Sequence, residues 1–435
     1  MTERYHAIPR DLFDALAAGG GGPEAIGVLA AAEHSKHTTL LRGVLAAVLR
    51  GDADQARCAR LGWEVLDEID RHDQAAAARV MTYPAVGAWA IRTLSALDPD
   101  GGAPAPASAR LAEVAAAAAI RSGLDVEVPV RPVAGVVSLP SIGAARADAE
   151  SAVVTSRDGQ AEIRWAGGKA EIPSDTHRDA SGWLGLRSIQ ADGLAIVIDD
   201  LHPFRMPAVT GLAPRLSARE ARDWQQAAQA GWRVLAVGHP SIAVEVAAAI
   251  SVIVPLSRSA HGQLSSSSPE AFGAVAMSAP PDPDTCASTF THEVQHLKLC
   301  AVLDIVSLTR PDDGRRHYAP WRADPRPVAG LLQGAYAYLG VTEFWRRQRQ
   351  LATGAAQLRA DGEFALWRAG TARVIDALLA SDQLTPVGVD FVQGMLGTAG
   401  PWAAEPVSAQ ARAFAAQAAR SHLAQWELDH GPVPA

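Results

Sequence analysis

Apolar residues recur at helical spacing over most of the first 120 positions. The stretches Glu24–Leu49 and Gln55–Leu94 both carry the i, i+3, i+4 repeat of amphipathic helices. Gly19–Gly22 and Pro23 form a turn ahead of the first long stretch. The segment DPDGGAPAPAS (Asp98–Ser108) reads as a loop, and an Ala-rich helix follows over Ala109–Arg121. Residues 1–122 therefore read as a helical N-terminal region. From Gly123 the period shortens. DVEVPVRPVAGVVSLPSIG alternates small apolar and polar residues, and SAVVTSRDGQAEIRWAGGKAEIP reads as hairpins turning at Arg157-Asp158-Gly159 and Gly167-Gly168. LAIVIDD (Leu194–Asp200) is a short buried strand. Residues 123–208 form a mostly β middle region.

Helical spacing returns at Ser217, an N-cap residue with Glu220 three positions on. VAAAISVIVPLSRS runs from helix into strand, and AFGAVAMS (Ala271–Ser278) is a further strand. Ser265–Ser268 reads as a short exposed loop. From Asp284 helices dominate, interrupted by the loop TRPDDGRRHYAPWRADPRP. Residues 209–435 form an α-rich region, and the fold class is α+β.

Length and composition narrow the class. A chain of 435 residues, 48% apolar, corresponds to two or three domains with a substantial core. Lys plus Arg number 39 against 47 Asp plus Glu, and 39 − 47 = −8. This mild acidity offers no clustered basic face, so nucleic acid is not an expected partner. No run of 18 or more apolar residues occurs, so no membrane span is expected. The start MTERYHAIPRDLF lacks a charged-then-apolar signal, which makes the cytoplasm the expected compartment. The three cysteines, Cys58, Cys286 and Cys300, are too scattered for a disulfide framework and include no C-x-x-C pair.

One segment carries recognisable chemistry: His292-Glu293-Val294-Gln295-His296, an H-E-x-x-H sequence. On a helix the residues i and i+4 share a face, so the two imidazoles can meet on one metal ion, with Glu293 within reach of a metal-bound water. The apolar continuation Val294, Leu297, Leu299, Ala301, Val302 and Ile305 supports a helix, and Asp284 and Thr285 offer its start. AFGAVAMS precedes the motif where metallopeptidase-like folds place an edge strand that pairs with extended substrate. The C-terminal region is accordingly read as zincin-like. The motif also arises by chance, and two histidines on a helix can be ordinary surface residues.

A third ligand must come from elsewhere. Asp304 lies eight residues beyond His296, about 12 Å along the same helix, and cannot close the site. Glu343 sits on a following helix and is favoured over Asp324 and His317, although it can equally pair with Arg346 or Arg347. In Trp321-Arg322-Ala323-Asp324-Pro325-Arg326-Pro327 two prolines stiffen a loop bearing two guanidinium groups. Such a loop suits carboxylate binding, or an Arg–Asp network that pins the loop itself. Asp199, Asp200, His202 and Arg205 at a strand end cap a site or form a turn. His34 and His37 read as surface residues, and Cys300 as a small packed hydrophobe. At most one of Tyr336 and Tyr338 faces the site. No P-loop, G-x-G-x-x-G or G-x-S-x-G is present.

Taken with LFDALAAGGGGPEAIGVLAAAEHSKHTTLLRGV, IDDLHPFR, AFGAVAMS, THEVQHLKLCAVLDIVSL and YAPWRADPRPVAGLLQGAYAYLGVTEFW, the chain resembles the H-E-x-x-H peptide-modification proteins of ribosomal peptide natural-product clusters. The resemblance implies an iron(II)- and 2-oxoglutarate-dependent oxygenase that β-hydroxylates a residue of a precursor peptide, with His292 and His296 binding iron. Arg322 and Arg326 are then candidates for the 2-oxoglutarate anchor, with Arg205 as a fallback. Two imidazoles and a carboxylate with open positions would make the oxygenase facial triad, in which Glu293 orients a ligand. The alternative is a zinc metallopeptidase cleaving a leader or natural-product peptide, with Glu293 as base. A third possibility is a non-catalytic peptide-binding scaffold.

Overall fold

The computed structural model describes residues 6–51, 53–97, 110–258 and 262–433; the expected Asp98–Ser108 loop lies outside them. The architecture is mixed α+β, with helices first, sheets in the middle and helices last. Two compact units interleave along the chain. The first is Met1–Ala30, Ala227–Ala249 and Pro280–Ala435; the second is Ala31–Gln226 and Ile250–Ala279. The units thus cut across the segments 1–122, 123–208 and 209–435, because periodicity reports the type of each element and not which elements pack together.

The helices α1 (Arg10–Ala17), α2 (Gly22–Val48), α3 (Ala53–His72), α4 (Gln74–Met81), α5 (Pro84–Leu97) and α6 (Arg110–Ser122) come first. The helical stretch Gln55–Leu94 is broken twice. Asp73 caps α4 by accepting from the Ala76 N–H at 3.0 Å, and Pro84 opens α5 where its missing N–H costs nothing. In the second unit α6 is buried along Ala115–Ala119. His37 of α2 is not a surface residue: it is 2% exposed, its Nδ1 lies 2.7 Å from the Met81 carbonyl, and burial pushes it down to about 4.

Nine strands follow: β1 (Val126–Val130), β2 (Val136–Leu139), β3 (Gly143–Arg146), β4 (Ala152–Arg157), β5 (Gln160–Trp165), β6 (Gly168–Ile172), β7 (Trp183–Gly185), β8 (Arg187–Ala191) and β9 (Leu194–Ile198). After α7 (Ala218–Gly238) and α8 (Pro240–Ala249) come β10 (Val252–Leu256), β11 (Ser265–Ser267) and β12 (Ala274–Ser278). They form an antiparallel sheet β1-β4-β5-β6, a small sheet β2-β3-β7 and a mixed sheet β11-β12-β10-β9-β8. Asp158 and Gly159 both have positive φ, 51° and 73°, which suits the tight turn joining β4 to β5. In the mixed sheet β10 runs parallel to β9 and β12. Both β10 and β12 are buried throughout, as the continuous apolar runs VIVPL and AVAM require.

Two sequence expectations fail in this sheet. AFGAVAMS does not supply an edge strand, because β12 is flanked by β10 and β11. Ser265–Ser267 is not a loop but the strand β11, pairing antiparallel with β12. Three serines carry no apolar alternation, so only the partner's ladder reveals the strand. The IDDLHPFR residues also belong to this second unit. Asp199 accepts from Tyr83 OH at 2.7 Å and from the N–H of Leu201 and His202. Asp200 holds Arg187, Arg215 and the Leu216 N–H. Arg205 donates to the carbonyls of His202 and Ala213. These groups are spent on shaping the turn.

In the first unit come α9 (Pro283–Ile305), α10 (Val328–Leu351), α11 (Gly354–Ala380), α12 (Pro386–Ala399) and α13 (Ala409–His430). The helix α10 packs between α9 and α11, and α1 lies on α12, where Phe13 meets Phe391 edge-on at 5.6 Å. The Ser217–Glu220 capping box at the head of α7 forms as expected, with reciprocal bonds of 2.8 and 3.2 Å. The helix α9 starts earlier than Asp284: Asp282 is the cap, accepting from the Thr285 N–H at 2.8 Å, and Pro283 occupies the first turn. Lys298 of α9 is 1% exposed and binds Glu245 of α8 at 2.7 Å. It also donates to the Gly19 and Gly20 carbonyls at 2.9 and 3.0 Å, fastening the α1–α2 turn to α9. Among the described residues no single helix is long and apolar enough to cross a membrane.

Candidate metal centre

The H-E-x-x-H sequence lies in the middle of α9, whose buried face (Phe290, Val294, Leu297, Ala301) anchors it in the first unit. That anchoring leaves His292 and His296 together on a partly exposed stripe. Their rings meet edge-to-face, centroids 4.7 Å apart, and their Nε2 atoms approach to 3.1 Å. Two nitrogens bound to one ion at about 2.0–2.1 Å, at angles between octahedral and tetrahedral, lie about 2.9–3.4 Å apart. The observed spacing falls in that range. A single N–H···N hydrogen bond between the rings would give a similar distance.

The tautomers bear on the choice. Gln333 of α10 reaches both His296 and Cys300: its Nε2 lies 3.6 Å from Cys300 Sγ and its Oε1 3.1 Å from His296 Nδ1. With the amide so turned, Oε1 accepts from Nδ1–H, which leaves Nε2 as the His296 nitrogen directed at His292. Burial, followed by the neighbouring His296, holds His292 well below the usual histidine range, so its ring is neutral. Neutral imidazole is the form that ligates a metal. Glu293 is 1% exposed, with Oε1 3.9 Å from His292 Nε2.

Aromatic rings close the other side. Tyr338 of α10 meets His292 edge-on at 5.3 Å, so Tyr338 is the tyrosine at the site; Tyr336 turns away and donates to the Leu16 carbonyl at 2.7 Å. Trp321 stacks on Tyr338 at 4.5 Å and 14°, and Trp367 of α11 lies 4.5 Å from Tyr338 on a tilted plane. Gly334 makes room for Trp321: a β-carbon there would fall 2.3 Å from the indole nitrogen. Trp367 donates to Glu363 at 2.7 Å. Burial first, then Glu363, raises the Tyr338 phenol, which stays protonated.

The remaining sequence candidates do not join the pair. Glu343 takes two bonds from Arg346, at 3.1 and 3.3 Å, and lines a cavity with Val294 and Gln295. It lies five residues beyond Tyr338, about 140° round the helix, and so faces elsewhere. Asp324 binds Arg322 at 2.8 Å and Arg326 at 3.0 Å. Burial pushes its carboxyl up, but the hydrogen bonds of both arginines together with the charge of Arg322 leave it below the usual range. His317 pairs through its backbone with Arg326. Among the described residues no group of three or more His, Cys, Asp or Glu converges as a metal site. The loop arginines are therefore engaged in pinning the loop, and the third ligand expected at Glu343 is not there.

Sequence reasoning missed Gln333 and Lys298. A lysine between Leu297 and Leu299 in an apolar helix was a visible signal for a buried charge. Gln333 gave none, since its role depends on a contact across 37 residues. Comparison with known proteins adds no relative: the chain matches no protein-family model and no curated protein.

Proposed function

We propose that the chain is a metal-dependent enzyme whose ion is held by His292 and His296, and that it acts as an iron(II)- and 2-oxoglutarate-dependent oxygenase β-hydroxylating a residue of a ribosomally made precursor peptide. The metal rests on one observation, the 3.1 Å approach of two imidazole Nε2 atoms with His296 oriented by Gln333. The oxygenase reaction and its peptide rest on the family resemblance of the sequence. The two imidazoles offer a divalent transition ion two donors; among the described residues no third His, Cys, Asp or Glu converges with them, and Glu293 Oε1 stands 3.9 Å from His292 Nε2. The fit to 2-oxoglutarate is poorer, because Arg322 and Arg326 already hold Asp324. Bound iron would supply the oxidising chemistry. The chain's own residues orient His296 through Gln333 and pack Tyr338, itself backed by Trp321, against the His292 ring.

A zinc metallopeptidase is the second reading, favoured by the 3.9 Å between Glu293 Oε1 and His292 Nε2, which puts a buried carboxylate where a general base would act. Glu293→Gln separates the two. Protein loaded with iron and 2-oxoglutarate, or with zinc, is incubated with the precursor peptide and the product mass is read. The oxygenase predicts a gain of about 16 Da per hydroxylation in the iron form. Activity in the Gln variant then falls about 10–100-fold without vanishing. Peptide cleavage by the zinc form, lost in Glu293→Gln, would install the peptidase instead.

A further inference from the structure

Within the first unit, the loop that carries Trp321 is closed on itself. Its ends are joined by two backbone bonds: the His317 N–H donates to the Arg326 carbonyl at 2.8 Å, and the Arg326 N–H to the His317 carbonyl at 2.9 Å. Inside it, Asp324 ties Arg322 to Arg326, and the Arg322 N–H donates to the Ala319 carbonyl at 3.1 Å. A surface loop whose ends meet and whose polar groups serve one another keeps its shape when it moves. Among the described residues, two hydrogen bonds run from residues 318–325 to other elements, and both end on α13. Tyr318 Oη lies 2.9 Å from His422 Nδ1, and His430 Nε2 donates to the Ala323 carbonyl at 2.8 Å. Tyr318 also meets Trp426 of α13 edge-on at 5.4 Å, and the Arg373 guanidinium of α11 sits 4.9 Å over its ring.

The remaining attachment is a seat for Trp321, against α10 and α11 where each helix carries a glycine. A β-carbon on Gly334 would fall 2.3 Å from the indole nitrogen, and one on Gly370 would touch both Pro320 and the indole, at 3.4 and 3.9 Å. In this seat the indole stacks on Tyr338, which lies edge-on against His292. Trp321 thus covers the ring that walls one side of the histidine pair, and the His292 side chain keeps 23% of its surface exposed.

We propose that the loop 317–326 is a lid over the histidine pair, latched to α13 through His422 and His430 and plugged by Trp321, and that it swings away as a rigid body to admit a peptide beside His292. Lids of this kind sequester a reaction from water and open between turnovers. The admission of a peptide rests on the reading of the pair as a reaction centre; the motion of the lid does not, and it is read without metal, so the two fail separately.

Hydroxyl-radical footprinting of the metal-free full chain, with oxidation located by peptide mass, tests the lid. Tyr336 and Phe290, 1% and 0% exposed, serve as buried references. Gly334→Ala is the sharpest variant. Alanine is the better helix former, so α10 should hold, as the melting curve would show, while the new methyl takes the place of the indole. Tyr338 and His292 should then oxidise faster than in the native chain, with the references unchanged. His422→Phe combined with His430→Ala removes both latch bonds, each worth about two- to thirteenfold in the opening equilibrium, so Tyr338 oxidation should climb toward the Gly334→Ala level. His430→Ala alone changes an exposed residue in the last turn of α13 and should give part of that rise in a chain that folds normally. Native protection of Tyr338 in Gly334→Ala, references that rise in step with it, or native protection in both latch variants overturns the proposal.

Discussion

Replacing Gln333 by Leu removes the acceptor that lies 3.1 Å from His296 Nδ1, while keeping a similar volume between α9 and α10. The imidazole is then free to move its proton to Nε2, where it blocks the lone pair directed at His292. A neutral hydrogen bond contributes about 0.5–1.5 kcal/mol, which corresponds to about two- to thirteenfold in an equilibrium constant. Losing an outer partner of a metal-bound histidine typically costs 10–100-fold in affinity. The two ranges overlap near tenfold, and that is the expected loss of zinc or cobalt affinity. Gln333→Glu is the opposite perturbation: a carboxylate accepts the same Nδ1–H more strongly, so affinity should equal or exceed that of the native protein. Competitive metal titration supplies the constants, and ¹⁵N spectra of the imidazoles report the tautomer directly. Affinities within twofold of each other in all three proteins would refute the reasoning.

Lys298→Met should cost about 3–5 kcal/mol in denaturant unfolding, because it strands the buried Glu245 carboxylate and two backbone carbonyls. The double variant with Glu245→Leu should recover part of that loss, and a double variant no more stable than the single one contradicts the pairing. His37 makes stability depend on pH. Its folded value of about 4 lies below the ordinary 6.5. Between those values the unfolded chain carries a proton that the folded chain lacks, so stability falls on acidification below pH about 6.5, by about 3 kcal/mol once pH 4 is passed. His37→Leu should flatten that part of the stability profile; an unchanged slope means the proton is taken up elsewhere. Arg322→Ala and Arg326→Ala test the anchor directly: if either arginine leaves Asp324 for 2-oxoglutarate, the apparent co-substrate requirement rises about tenfold or more. Identical titrations in both variants exclude the loop as anchor.

Local chemistry was legible in the sequence wherever the partners lie within a few residues. The Ser217–Glu220 box, the Asp158–Gly159 turn and the helical setting of His292 and His296 all depend on spacings of one to four positions. What the sequence hid depends on distant partners. Asp324 settles the fate of Arg322 and Arg326, and the charges alone allowed either a ligand or a network. Glu343 had suitable chemistry for a ligand and the wrong face of α10. His37 lies on a polar stretch of α2 and is buried by packing that its neighbours in sequence do not announce. The strand β11 is three serines, whose propensity says nothing until β12 lies alongside.

The most direct test of the histidine pair is metal content measured on the native chain and on His292→Ala and His296→Ala, each saturated with iron(II) or zinc and then freed of loosely held ions. The pair predicts one tightly bound ion per native chain and none in either variant, since one imidazole with Glu293 beside it leaves too few donors. A native chain that retains no metal, or variants that retain it fully, would show that the 3.1 Å contact is a hydrogen bond between two rings and not the foundation of a catalytic centre.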